Sequence, residues 1–408
     1  MRLNKYKINK YSTCIYNFFL ILIISIFNVF IFLFPNEILN ASKNGIILWA
    51  NNILPTLLPF LISTNILIQA GMTQVLGLFL EPIMQPIFRV PGVSAFALIS
   101  GMVCGYPIGA KVTQSLYKNN QISRSQAQRL ISFCNNSGPL FILGFVGVSM
   151  LGDKKIGYFL MLVHYLSAII NGLIFRFFFG SDITNIKNIK KNIFHESKDH
   201  KQKIFFHVQS NKNIGIIISD SINNSVQIIL HIGGFIVLFS IINKILEISN
   251  IISLLWVLFS RFSIFNELGY KNFYAIIAGL IELTNGTKIL IQNNSCDLNK
   301  IIIILSALIS FGGLSVHMQS LGFITKTDIN PFVYLLSKIS HAIISVFLTK
   351  TLLLFFSFRS KNIKGTYDFK TSFHDQLLFS FKNLILVIII IMGLIFITQI
   401  LKHLCRKN

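Results

Sequence analysis

Residues 133–147 read FCNNSGPLFILGFVG. The stretch opens on small polar residues, Cys134, Asn135, Asn136, Ser137 and Gly138, and is broken at Pro139. It then continues as an apolar helix carrying Gly144 and Gly147. In a water-soluble protein this would be an ordinary helix start. In a membrane, polar backbone at bilayer depth survives only where it lines a cavity or is buried in protein. Short apolar segments interrupted by Gly or Pro are the best sequence pointer to a transporter's substrate site.

The rest of the chain supplies the membrane. It has 408 residues, 53% of them hydrophobic and only 12% charged. Its mean hydropathy is +0.67. Several segments reach the roughly 20 apolar residues that a crossing helix needs. The formal charge of +22 is gathered at the N-terminus (Arg2, Lys5, Lys7, Lys10), between Lys187 and Lys212, and between Arg359 and Lys370. Basic clusters flanking apolar spans place those loops in the cytoplasm. No soluble basic segment is long enough for a nucleic-acid domain, so nucleic acid is not an expected partner. Cys14, Cys104, Cys134, Cys296 and Cys405 make no CxxC and no regular spacing. They read as free thiols, with no zinc site and no disulfide framework. The apolar run 14–34 is too long for a signal-peptide core and lacks a small-residue cleavage site, so it reads as an uncleaved first helix.

Taken in order, Pro55 and Pro59 break or kink the segment after Asn44. Pro82, Pro86 and Pro91 make residues 72–92 an interfacial or re-entrant element. Gly101, Gly105 and Gly109 follow at the four-residue spacing that lets membrane helices touch backbone to backbone. Lys111–Arg129 is an amphipathic cytoplasmic helix leading into the opening stretch, and Gly157–Phe179 is a clean span with His164, Asn171 and Arg176.

Beyond a Lys-, Asn- and His-rich linker the pattern recurs. SINNSVQIILHIGGF resembles ANNILPTLLPF, IAGLIELTNGTK resembles ISGMVCGYPIGAK, and SFGGLSVHMQSLG stands where NNSGPLFILGFVG stood. Pro59 to Gly138 and Gly234 to Gly313 are both 79 residues, and the pairs share an offset of about 175 to 178, His164 with His341 included. The expected fold class is therefore all-α, a polytopic membrane protein with an internal two-fold repeat of broken or re-entrant helices, inverted as in secondary transporters. The expected organisation is an N-terminal transmembrane helix (1–40), repeat 1 (41–180), a basic cytoplasmic linker (181–212), repeat 2 (213–357) and a C-terminal connection with a last transmembrane helix (358–408).

Four clusters are candidates to line a shared cavity. The first repeat offers Tyr106 and Pro107 with Lys111, and Asn135, Asn136, Ser137 and Gly138. The second offers Thr284, Asn285 and Gly286 beside Lys288, and Ser315, His317 and Gln319. Amide side chains donate and accept, and the freed N–H groups of a half-helix attract anions. Glu282 sits in an apolar segment where a carboxylate is costly and has a partner or a task. Its expected partner is Lys111 or a coupling cation or proton, which makes it the coupling residue. Plainer roles stand beside these: helix packing for the three glycines, neighbour-bonding for His164 and His341, and a structural ion pair for Glu282. No His/Asp/Glu cluster has metal spacing and no Ser-His-Asp or Cys-His set is placed for nucleophilic attack, so neither a catalytic residue nor a metal or cofactor is assigned.

Four of these runs resemble the sporulation integral membrane protein family (YlbJ). They are Asn135–Gly144, Leu54–Phe60, Gly105–Lys111 and Gly312–Gln319. The resemblance covers roughly residues 40 to 355. It includes two copies of the nucleoside-recognition Gate element, also similar to parts of concentrative nucleoside transporters. It implies a multi-pass protein of endospore formers in the outer forespore membrane, moving dipicolinic acid from the mother cell toward the spore. The implied partners are a small anionic substrate, the bilayer, further sporulation membrane proteins and a second copy of the chain. The coupling ion, sodium or proton, is left open. Nucleoside transport, an intramembrane enzyme on lipid-linked substrates and a non-transporting structural role remain as alternatives.

Overall fold

The computed structural model describes residues 2–179, 213–293, 297–356 and 358. The expected linker at 181–212 and the expected last span lie outside them. The described residues are mostly helical, with no strand among them. Among the described residues four helices are long and apolar enough to cross a membrane, or up to six spans if each sharply bent pair counts as one. The fold is an all-α, multi-pass membrane protein.

α1 (Arg2–Leu33) turns by 105° into α2 (Pro35–Leu48). A wide π-helical turn at Trp49–Ile53 then leads into α3 (Leu54–Gln69). Pro55 and Pro59 remove backbone donors here, and the widened turn absorbs the missing bonds. α2 thus starts before residue 41, and its main packing is against the long helix Ile214–Ile248 of the second half. α4 (Met72–Phe88) meets the next helix at 92°, a bend that makes the pair a broken span or a re-entrant loop. The Glu81 carboxylate closes that corner on the Gly92 N–H.

α5 (Ala95–Cys104) and α6 (Ile108–Lys118) form the first hairpin. Its tip needs Gly105, whose φ of +81° is open only to glycine. A Cβ on Gly101 or Gly109 would land on the Cys134 carbonyl. The glycine ladder is therefore packing, and it lets the hairpin lie directly against the opening stretch. The expected single helix from Lys111 to Arg129 is two helices. Asn120 turns left-handed at φ +55°, and Ser123 starts α7 (Arg124–Cys134) with a capping box shared with Gln126. Residues 135–138 belong to no helix. Pro139 then opens a wide π-helix, Leu140–Met150, and α8 (Lys154–Phe175) follows.

The second half runs through the same kinds of element. α9 (Ile214–Ile248) crosses α2 and α3, with Gly233 against the Trp49 indole, whose Nε1–H donates to the Ile229 carbonyl at 3.0 Å. α10 (Ile251–Phe259) and α11 (Ser263–Leu268) lead to the hairpin α12 (Tyr270–Ile281) and α13 (Leu283–Gln292). Gly286 packs on Gly279 there, as Gly109 does on Gly101. α14 (Leu298–Phe311) and α15 (Gly313–Ile324) make a broken span hinged on Gly312 and Gly313, at φ +98° and +76°. α16 (Pro331–Leu352) packs along α14 and α8.

The apolar core has two bodies. One joins α3–α7 to the middle of α9 and the α15–α16 corner; the other joins the wide helix and α8 to α12–α14. Each body mixes residues of both halves. The breaks at Gly105–Pro107, Asn135–Gly138 and Glu282 are flanked by residues of these bodies, Cys104, Ile108 and Cys134 in the first and Leu283 in the second.

Candidate functional site

A break in a helix leaves N–H and C=O groups without helical partners, and inside an apolar protein each needs another. The side chains that meet this need define the central layer. α7 ends on the carbonyls of Ser132, Phe133 and Asn135. Asn171 Nδ2 donates to Ser132 at 2.8 Å, Asn136 Nδ2 donates to Phe133 at 2.8 Å, and the Lys338 ammonium donates to Asn135. A cation there also faces the negative end of α7. Beyond the break, the Ser137 N–H donates to His164 Nε2 at 2.9 Å, and the Tyr165 hydroxyl donates to the Met102 carbonyl at 2.8 Å.

These bonds assign the histidine tautomers. His164 Nε2 accepts, so its proton sits on Nδ1, 3.1 Å from Ser310 Oγ. His341 Nε2 donates to the His164 carbonyl at 3.1 Å, and the two rings stack with centroids 4.8 Å apart. Asn135 Nδ2 donates to Ser320 Oγ at 2.8 Å and to the Tyr334 hydroxyl at 3.0 Å. The Tyr334 hydroxyl in turn donates to His317 Nδ1 at 3.1 Å. That leaves the His317 Nε2 proton without a partner. Asn135 Oδ1, Asn136 Oδ1, Ser137 Oγ, the Tyr106 hydroxyl and His341 Nδ1 are buried and unpartnered as well. Tyr106 and Ser137 face each other without closing a well-formed hydrogen bond. The Tyr106 ring also packs over Gly312, joining the first hairpin to the second broken span.

Unpartnered buried polar atoms cost about 1–3 kcal/mol each, and their gathering in one layer marks a place built to receive something polar. The layer is closed to solvent: Asn135, Asn136, Ser137 and His341 are all 0% exposed.

The sequence candidates separate into three groups. Tyr106, Pro107, Asn135, Asn136, Ser137, Gly138 and His317 belong to the central layer. Ser315 and Gln319 are buried on α15, but the residue that meets Asn135 is Ser320. Lys111 lies apart, its ammonium donating to Asn65 Oδ1 at 2.9 Å. The expected Lys111–Glu282 pair is not formed. Glu282 caps α13 instead, accepting from the N–H groups of Thr284 at 3.1 Å and Asn285 at 2.7 Å. Two backbone donors at a helix start satisfy a carboxylate without a cation. Gly286 is backbone packing, and Asn285 reaches toward Ser240 Oγ at 3.5 Å.

Sequence reasoning missed Lys338 and Tyr334. Lys338 is 3% exposed inside a 22-residue span, one helical turn before His341. The rule that singled out Glu282, an ionisable group in an apolar segment, identifies it equally.

The family model described as nucleoside recognition, Gate, matches residues 50–154, from the π-helical turn before α3 to the start of α8. No solved structure matches the chain. The sporulation integral membrane protein YlbJ of Bacillus subtilis (strain 168) is 36% identical over 296 residues, 72% of each chain. With that identity spread over most of both proteins, the chain belongs to the family of the sporulation integral membrane protein YlbJ.

Proposed function

We propose that the protein is a transporter carrying a small aromatic dicarboxylate, dipicolinate, across the outer forespore membrane toward the spore. The observation that carries this reading is Lys338, a buried ammonium held between two broken spans beside unpartnered amide, hydroxyl and imidazole atoms. An anion entering that layer meets a buried ammonium, a charge that an apolar interior otherwise excludes. Amide groups and a free imidazole N–H suit carboxylate oxygens and a ring nitrogen. The proposed action is translocation, with no bond made or broken. Glu282 acts as the coupling group: it stands where the second hairpin breaks and would repel a bare anion.

The test is flux into liposomes holding the purified protein, with labelled dipicolinate, uridine and adenosine supplied separately. Uptake of dipicolinate is the expected result. The matched Gate model favours a second reading, nucleoside transport. Uptake of uridine or adenosine without dipicolinate establishes that reading in place of the first, and no uptake of any substrate refutes transport.

A further inference from the structure

A cleft of about 420 Å³ opens between α2, α9, α12 and α13. Its mouth carries Asn40, Asn44 and Lys288, and its floor is Ser240, Asn243 and Asn285. Glu37 also borders it, and Lys244 and Glu247 offset each other in an ion pair of 3.1 Å along α9. Lys288 has no carboxylate partner among the described residues. The floor is loosely tied: Asn285 Nδ2 to Ser240 Oγ is 3.5 Å, and Asn243 Nδ2 to the Ala278 carbonyl is 3.4 Å. Asn243 Oδ1 is buried without a partner. Behind this floor stand Glu282 and the break of the second hairpin.

The matching place in the first half is shut. Lys111 sits 177 residues before Lys288, on the returning helix of the first hairpin. Its ammonium donates to Asn65 at 2.9 Å, Asn65 donates to Ser225 Oγ at 2.8 Å, and Gln69 donates to Ser221 Oγ at 2.9 Å. These bonds are half an ångström or more shorter than those on the cleft floor, and they seal α3 and α6 against the start of α9. Along α9, Ser225 and Asn243 are roughly 27 Å apart at 1.5 Å per residue, close to the depth of a bilayer core. The sealed end lies near the start of α9, which directly follows the basic segment between Lys187 and Lys212. The cleft therefore opens on the opposite face.

We infer that the cleft is an access site for a small dicarboxylate on the face away from the basic loops. Lys288 receives one carboxylate, and the Asn243 and Asn285 amides, already at the limit of their bonds, turn to the ligand. Tyr274 on the wall offers an aromatic face. Lys111, with Asn65 and Ser225, is the closed counterpart serving the other face. The inference rests on the transport reading and adds where substrate leaves toward the spore and which contact bars its entry from the cytoplasmic side.

The test uses full-length protein in liposomes with Cys14, Cys296 and Cys405 replaced by Ser; Cys104 and Cys134 are buried and stay. Asn243→Cys and Asn65→Cys are exposed separately to a membrane-impermeant thiosulfonate, and modification is read by mass. Asn243→Cys is expected to react about tenfold faster than Asn65→Cys, the ratio that roughly 1.4 kcal/mol of local opening sets. Pyridine-2,6-dicarboxylate should slow the reaction at Asn243→Cys, and adding Lys288→Gln should abolish that protection. Equal, slow reaction at both positions refutes the open cleft. Fast reaction without protection, while dipicolinate flux persists, refutes the access site and leaves the transport reading standing. Protection without flux upholds the site and removes transport.

Discussion

Lys338→Met is the substitution that separates an anion site from a helix-end cap. In the native protein the ammonium bonds the Asn135 carbonyl. Losing that bond leaves a buried acceptor unmet, at about 1–3 kcal/mol. Burying an ammonium costs several kcal/mol on its own account, which the variant no longer incurs. The two effects oppose, so the melting temperature should move by about 4 °C or less. Binding should respond far more. A unit charge about 4 Å from an ammonium is stabilised by about 4 kcal/mol at an effective dielectric constant near 20. That corresponds to about three decades in Kd.

Calorimetric titration of dipicolinate into purified protein reads the binding, and a thermal melt of the same sample reads the fold. Lys338→Arg, which keeps the charge, should retain most of the affinity. Lys338→Gln, which keeps a donor for Asn135 but not the charge, should lose it. If Lys338→Met melts normally and binds dipicolinate within about threefold of the native protein, less than 1 kcal/mol, Lys338 only caps α7 and the anion site lies elsewhere.

Glu282→Gln keeps one acceptor for the Thr284 and Asn285 N–H groups; it should leave dipicolinate binding intact and remove the pH or sodium dependence of flux in liposomes. Normal ion dependence would make Glu282 a cap and nothing more. Gly109→Val drives a side chain onto the Cys134 carbonyl and should abolish membrane accumulation of the protein, whereas Gly144→Ala, with nothing within 4 Å of the new carbon, should be neutral or raise stability by up to about 1 kcal/mol, both read by immunoblot and melting. An experimental structure should superpose residues 45–180 on 213–357 about one pseudo-two-fold axis; halves that fail to superpose would end the repeat reading.

The breaks were legible because their chemistry is local. Pro107, Asn135–Pro139 and Gly312–Gly313 each forbid a continued helix by their own backbone preferences, and each break is there. The S-x-x-Q box at Ser123–Gln126 is an equally local helix start, and it divides the segment 111–129 that the amphipathic pattern alone predicts as one helix. Partners are a different matter. Lys111 pairs with Asn65 because α3 lies beside α6, a proximity that no spacing within residues 105–111 encodes. Gln319 and Ser320 differ by one position on α15, a rotation of about 100°. Sequence periodicity cannot say which of the two faces Asn135. Lys338 was hidden by its neighbours: in a span with Ser337 and His341 it reads as part of a polar face until the fold shows that face turned inward.

The histidine pair points to how one site arises from two related halves. Equivalent positions of a two-fold repeat touch each other only near the axis, and the His164 and His341 rings lie 4.8 Å apart. Moving Lys338 back by the 177 residues that separate those histidines arrives at Met161. The cation therefore has no counterpart in the first half. The same holds for the breaks: the first carries amides at Asn135 and Asn136, while the second is hinged on two glycines. One half supplies the acceptors and the helix-free backbone, and the other supplies the charge and the hinge. A symmetric pair of lysines across the axis would repel each other at bilayer depth, where neither is hydrated. Breaking the symmetry at this one layer leaves Lys338 as a buried cation facing the break of the first half.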